Sequence, residues 1–174
     1  SMSESVLVNI KRSNIKLDHM VEINKDLKKQ GRVTATELIV PLPGETKESF
    51  INGLNNVINS GVSRVITYTL MMLHGTHFKL PGYRKQFKYL TKFRIVPLNF
   101  GEYDGQKIFD YEEAGVGTKD LSFDDYLNIR VLALFVETLH NGKPFEEFFK
   151  YVHFEFYLNN LKFKSIHLSN YIIR

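Results

Sequence analysis

The sequence predicts a mixed α/β fold, and three features carry that expectation. An apolar strand runs into a Pro-Gly turn and a helix start over Glu37-Leu38-Ile39-Val40-Pro41-Leu42-Pro43-Gly44-Glu45-Thr46. A second apolar strand, Arg64 to Met72, follows that helix at once and ends in its own turn, Leu73-His74-Gly75-Thr76. Beyond about residue 98 the pattern shifts towards helices. A strand, a helix and a second strand in close succession read as a parallel β-α-β unit. At the carboxyl ends of such strands backbone N–H and C=O groups emerge beside a helix N-terminus and can hold a small ligand.

In chain order, Ser3 is placed to cap a turn carrying Val6, Leu7, Val8 and Ile10. Asp18 opens a second helix with Met20, Val21, Ile23 and Leu27, and Gly31 ends it. The first strand spans Val33 to Val40. Thr46 is a suitable N-cap for the next helix, Glu48 suits the positive end of its first turn, and Phe50, Leu54, Val57 and Ile58 recur at helical spacing up to Gly61. After the second strand, Pro81 and Gly82 precede a basic, aromatic helix-like segment, Tyr83 to Leu90. Phe93 to Leu98 reads as a short strand, with Pro97 favouring an edge. Four glycines between Asn99 and Lys119 indicate irregular chain or a loose hairpin. Ser122 and Asp125 resemble a capping box that opens a long helix through Tyr126, Ile129, Leu132, Ala133, Val136 and Leu139. Pro144 fits the first turn of another helix, Phe145 to Val152, and a helical tail to Arg174 is expected. The expected division is an α/β part, 1–98, and an extension, 99–174, irregular and then helical.

Composition narrows the function classes. A chain of 174 residues, 43% hydrophobic and 13% aromatic, can bury one good core. No apolar run approaches the roughly 20 residues that span a bilayer, and no basic-apolar-small signal pattern opens the chain, so a cytoplasmic location without membrane contact is expected. Ser1-Met2 reads as residues added ahead of an internal start. The net charge of +4 is spread along the chain and indicates a solvated mixed surface, with nucleic acid not expected as a partner. Zero cysteine excludes a disulfide framework or thiolate metal site within this chain.

Several residues are candidates for chemistry. Glu37 shares a strand face with Val33, Ala35 and Ile39, so a buried carboxylate there needs a partner; ligand contact, pairing with a neighbouring strand and a barrel-bottom position are all open. Tyr68 is expected to pack in the core. His74 and His77 form an HxxH pair without further ligands at useful spacing, which favours a solvated loop over a metal site. Glu112 and Glu113, on opposite faces of a strand, read as surface or hairpin charges. Tyr83 to Tyr89 interleaves aromatic and basic residues as a single-stranded RNA platform does, although a helix spreads such residues round its surface. Walker, GxGxxG, nucleophile-elbow and HExxH motifs do not occur.

The runs Ser5 to Ile15, Glu37 to Phe50, Tyr68 to Thr76, Thr91 to Arg94 and Gly117 to Arg130 together resemble, in order, the carboxyl-terminal half of a radical S-adenosylmethionine enzyme, closest to the branch that carries a cobalamin-binding domain. The resemblance implies a partial (β/α)6 TIM-like barrel in which Val33 to Val40 is the fifth strand and Arg64 to Met72 the sixth. The CxxxCxxC loop that holds a [4Fe-4S] cluster then lies upstream, so this chain is expected to be a fragment without catalytic residues or metal ligands of its own, inactive alone. Its partners are then the missing N-terminal half and, through the unpaired strand edge, another copy, a swapped segment or the strand near Ile95. The resemblance implies that Arg12 pairs with the methionyl carboxylate, that Ile39 and the backbone beyond it meet the adenine, and that Leu73 and His74 close on the same ring. With Glu37 and Pro41, these form the expected cofactor-binding set. Pro41 stands where the family usually has Gly, and His74 where it often has Pro. The other reading is a non-catalytic α/β binding or RNA-interaction domain.

Overall fold

A computed structural model describes residues 1–144; the helix expected over Phe145 to Val152 and the tail to Arg174 lie outside the described residues. The fold is mixed α/β. Among the described residues it holds two small two-stranded sheets and no closed barrel.

Helices α1 (Glu4–Asn9) and α2 (Leu17–Lys29) lead into β1 (Ala35–Val40), α3 (Lys47–Asn59) and β2 (Arg64–Thr69). The expected β-α-β unit is present: β1 and β2 pair in parallel, with Ala35 opposite Arg64 and Val40 opposite Thr69. Thr46 caps α3 as expected, but the reciprocal partner is Ser49, whose hydroxyl accepts from the Thr46 N–H at 3.0 Å while the Thr46 hydroxyl accepts from the Ser49 N–H at 3.1 Å. Leu38, Val40 and Val65 point to one side of the sheet and pack with Phe50, Leu54 and Val57 of α3 and with Tyr126 and Ile129 of α5 (Phe123–Phe135). Each such side chain, fully buried, stabilises by about 1.5–3 kcal/mol.

The other sheet face corrects two expectations. Glu37 and Tyr68 are both exposed, Tyr68 by 47%, and Val33 is 74% exposed, so Glu37 is not a buried carboxylate and Tyr68 is not a core residue. The reason is that α3 and α5 cover the face of Leu38 and Val65, leaving the face of Glu37 and Tyr68 open.

The two sheet edges differ. Arg64 donates to the Thr34 carbonyl and Leu70 to that of Val40, so in β1 the even-numbered residues bond to β2 and the N–H and C=O of Ala35, Glu37 and Ile39 point to the free edge. On the far side of β2 the Val65 N–H and C=O and the Thr67 C=O are taken. The Asn141 amide accepts from the Val65 N–H at 2.9 Å and donates to its C=O at 2.8 Å, as a neighbouring strand would, and Arg130 donates to the Thr67 carbonyl at 2.8 Å. Asn141 ends a π-helical turn, Val136–Asn141, that continues α5. Further along, Gly115 donates to Leu70 and Met72 to Glu113. The strand near Ile95 does not cover the β1 edge, because it pairs elsewhere.

That pairing is the largest departure from expectation. Of the two readings open for the glycine-punctuated segment, irregular chain or a loose hairpin, the hairpin is the one present, but it is long and takes in the expected short strand: β3 (Leu90–Tyr103) pairs antiparallel with β4 (Gln106–Gly117), so residue 98 falls inside a strand. The turn is Asp104-Gly105, with φ of 50° and 75°, the two positive values that a tight two-residue hairpin turn requires. Pro97 sits in a bulge between Ile95 and Phe100, where a residue without an N–H is tolerated. The Ser122 cap of α5 is as expected, its hydroxyl accepting from the Asp125 N–H at 3.1 Å.

Replacing Asn141 by Leu leaves the Val65 N–H and C=O without partners. Chemical denaturation should show a loss of about 1–3 kcal/mol; an unchanged midpoint would mean that water replaces the amide without cost.

Candidate functional site

At the carboxyl ends of β1 and β2 a second apolar cluster forms from Val6, Leu42, Leu70 and Met72, with Ile10, Ile39 and Phe78 against it. Beside it lies a cavity of about 390 Å³, walled by α1 and the α1–α2 link on one side and by Thr36 to Ile39 on the other. Residues on both faces of β1 line it, so it runs along the free edge of the sheet.

The wall is mostly apolar, with Leu7, Ile10, Ile15, Met20, Leu42 and Phe78. Its two charged side chains are Arg12 and Glu37, one of each sign. Arg12 is held by the way α1 ends: Lys11 takes a left-handed conformation with φ of 53°, the Lys11 N–H bonds to Val8 and the Arg12 N–H bonds to Leu7 at 2.9 Å. This pair of bonds is the Schellman closure, and it turns the chain so that Arg12 leaves the helix towards the cavity. A mixed pocket of this kind suits a ligand with an apolar or aromatic body and charged groups at its rim.

Of the six residues expected at the site, Arg12, Glu37 and Ile39 come together on this wall, whereas Pro41, Leu73 and His74 do not line it. Pro41 is fully buried after a cis peptide with Val40, and Leu73 and His74 are exposed. From the loop after β2 the cavity receives Phe78 instead, carried by a single 3-10 turn, His77–Lys79. A short turn inside a loop leaves no periodicity to read, which is why the sequence did not single it out. Among the described residues no group of three or more His, Asp or Glu side chains is placed to hold a metal ion.

Glu45 was also missed. It is 1% exposed, its carboxylate accepts from the Ser1 hydroxyl at 2.6 Å, and Oε2 has no protein partner. Burial pushes its carboxyl above the usual range, against the hydrogen bond from Ser1 and the nearby amino terminus. Ser1 itself lines the cavity, so this acid stands directly behind the wall.

The loop that carries Phe78 is tied down by a buried ionic cluster rather than by surface charges. Glu113, 8% exposed, accepts from Lys79 at 2.5 Å and from Arg84 of α4 (Pro81–Phe87) at 2.6 Å, and Arg84 also reaches the Thr91 hydroxyl at 3.2 Å. Its neighbour Glu112 points the other way, to Arg94. The aromatic residues of α4 are engaged while Lys85 and Gln86 are exposed: Tyr83 donates to the Asn9 carbonyl at 2.9 Å and Phe87 is buried, so the helix offers no stacking platform for bases. The basic tail near Lys162, the other segment on which an RNA-interaction reading draws, lies outside the described residues.

Comparison of the sequence with protein-family models and with curated proteins gives no match.

Hydrogen bonds from Arg84 hold the Glu113 carboxyl down to about 2, with Lys79 and Thr91 acting in the same direction against its burial. A folded-state value below the unfolded one of about 4.3 means that the cluster stabilises fully above about pH 4.5 and loses its effect as pH falls towards 2. Glu45 acts in the opposite sense, since a raised carboxyl binds its proton more readily in the folded chain. Subtracting the Glu113→Gln melting profile from the parent profile between pH 2 and 6 should therefore leave a difference that shrinks with acid. A flat difference would count against the cluster.

Proposed function

We propose that this chain is the carboxyl-terminal part of a radical S-adenosylmethionine enzyme, contributing the last two strands of a partial (β/α)6 barrel and one wall of the pocket for S-adenosylmethionine and substrate. The observation that carries the reading is the placement of the cavity: it lies at the carboxyl end of two parallel strands and along the β1 edge of their sheet, which the described residues leave open, with Arg12 and Ile39 on its wall. Both came from a family motif read in sequence, and they sit 27 positions apart in the chain.

The residues present fit part of the cofactor set. Arg12 offers an always-charged, planar fork suited to a carboxylate, and Ile39, Leu42 and Phe78 offer an apolar wall to a nucleoside ring. Glu37 adds an acceptor at the rim for ammonium or hydroxyl groups. This chain lacks cysteine and offers no thiolate to an iron–sulfur cluster; the upstream half would hold the cluster, which would supply the reductive chemistry on S-adenosylmethionine. This chain's work is to bind, orient and exclude water. A cobalamin-binding domain, as in the branch this sequence resembles most, would also lie outside the chain.

The reading is tested on the full-length enzyme. The coding sequence upstream should contain a CxxxCxxC. In that protein Arg12→Ala should weaken S-adenosylmethionine binding by about 1.5–3 kcal/mol, the range for hydrogen bonds to charged groups, with the cluster absorbance unchanged. Equilibrium dialysis and absorbance measure both. Unchanged affinity removes Arg12 from the site, and an upstream sequence without the cysteine motif overturns the assignment.

A further inference from the structure

The hairpin β3–β4 carries an apolar face for which the described part of the chain supplies no cover. Near the base of the hairpin β4 is packed on both faces: Ala114 and Val116 join the main core, and Glu113 is held by Lys79 and Arg84. Beyond Arg94 and Glu112 the hairpin projects. Residues opposite one another share a face, so Phe93, Ile95, Tyr111, Phe100 and Phe109 form one continuous stripe. They are 65%, 61%, 71%, 69% and 52% exposed. Two contacts knit the stripe together, Phe93 with Tyr111 at 5.7 Å between ring centroids and Phe100 with Phe109 at 6.3 Å. The opposite face is more polar, with Arg94 bonded to Glu112 and with Asp110 and Gln106 beside Ile108 and Tyr103.

An amphipathic hairpin of this pattern normally lays its apolar face on something. We propose that the occupant is the same face of a second copy, packed antiparallel so that the tip of one hairpin meets the base of the other. The charges fit that arrangement. The tip has one acidic charge in excess, Glu102 and Asp104 against Lys107, and the base has one basic charge in excess, Lys79 and Arg84 against Glu113. Antiparallel packing brings each excess opposite its complement twice, whereas parallel packing stacks like on like. Five large side chains already more than half exposed bury on the order of 600 Å² per copy when covered, near the lower bound for a specific interface. The dimer is therefore concentration-dependent. This inference is independent of the enzymatic reading, since it uses neither the cavity nor the β1 edge.

Sedimentation equilibrium of the 174-residue chain tests it. The weight-average mass should rise from 20.3 kDa towards twice that value as concentration increases through the micromolar range. Phe109→Glu and Tyr111→Lys, both on the stripe, should each weaken association at least about tenfold with an unchanged circular dichroism spectrum. Tyr103→Ser, on the opposite face, and Glu37→Pro, at the β1 edge, should leave it intact. A monomer at every concentration overturns the proposal. So does a dimer that survives both stripe variants, or one that Glu37→Pro abolishes, which would place the contact at the strand edge instead.

Discussion

The parallel pairing of β1 with β2, open on one side and sealed on the other, is the constraint from which the remaining structure follows. Two parallel strands cannot stand alone, because each leaves a row of unpaired backbone groups and two faces to cover. Here α3 and α5 cover one face. On the outer edge of β2, side chains of Asn141 and Arg130 take the Val65 N–H and C=O and the Thr67 C=O, and beyond Thr69 the end of β4 bonds to Leu70 and Met72. The sheet has therefore finished growing in that direction. Among the described residues it stays open at β1, where Ala35, Glu37 and Ile39 direct their backbone groups outward.

The cavity follows from the same asymmetry. It lies along the open edge because nothing among the described residues fills the place of a further strand, and α1 closes it from the other side through the Schellman turn at Lys11. The loop after β2 is kept against the second core by the Glu113 cluster, whose two cations come from consecutive short helical pieces. Breaking such a cluster leaves an unpaired charge where solvation is poor, so its geometry is enforced even though its net stabilisation is modest. The order of causes runs from sheet edge to cavity to the residues on its wall.

How much of this was legible in the sequence depended on whether the signal was local. The β-α-β unit was, because Thr46, the helical spacing of Phe50, Leu54 and Val57, and two apolar runs are each short-range patterns. The β3–β4 hairpin was legible only as one of two readings, irregular chain or a loose hairpin, and its length and its start at Leu90 were not. Its four glycines and Pro97 look like punctuation in a loop, and the informative signal, Asp104-Gly105 between alternating residues, was outweighed by them. Facing was also hidden: Glu37 and Tyr68 share the face opposite to Leu38, but which face is covered depends on α5, some sixty residues downstream of Tyr68. At the site, Arg12 and Ile39 came from the resemblance, Phe78 was placed by tertiary packing with no motif to announce it, and Glu45 lay inside the quoted Glu37 to Phe50 run with nothing local to show that it is buried.

The central claim is that β1 presents a free edge awaiting a strand. Native-state amide hydrogen exchange of β1, read residue by residue, tests it most directly. In this chain the amides of Thr36, Leu38 and Val40, bonded to β2, should exchange at least about tenfold more slowly than those of Ala35, Glu37 and Ile39, which face the open edge. The alternation should vanish in the full-length protein, with all six protected. Uniform protection of all six amides in this chain alone, at a concentration where it is monomeric, would show the edge already covered and would contradict the account.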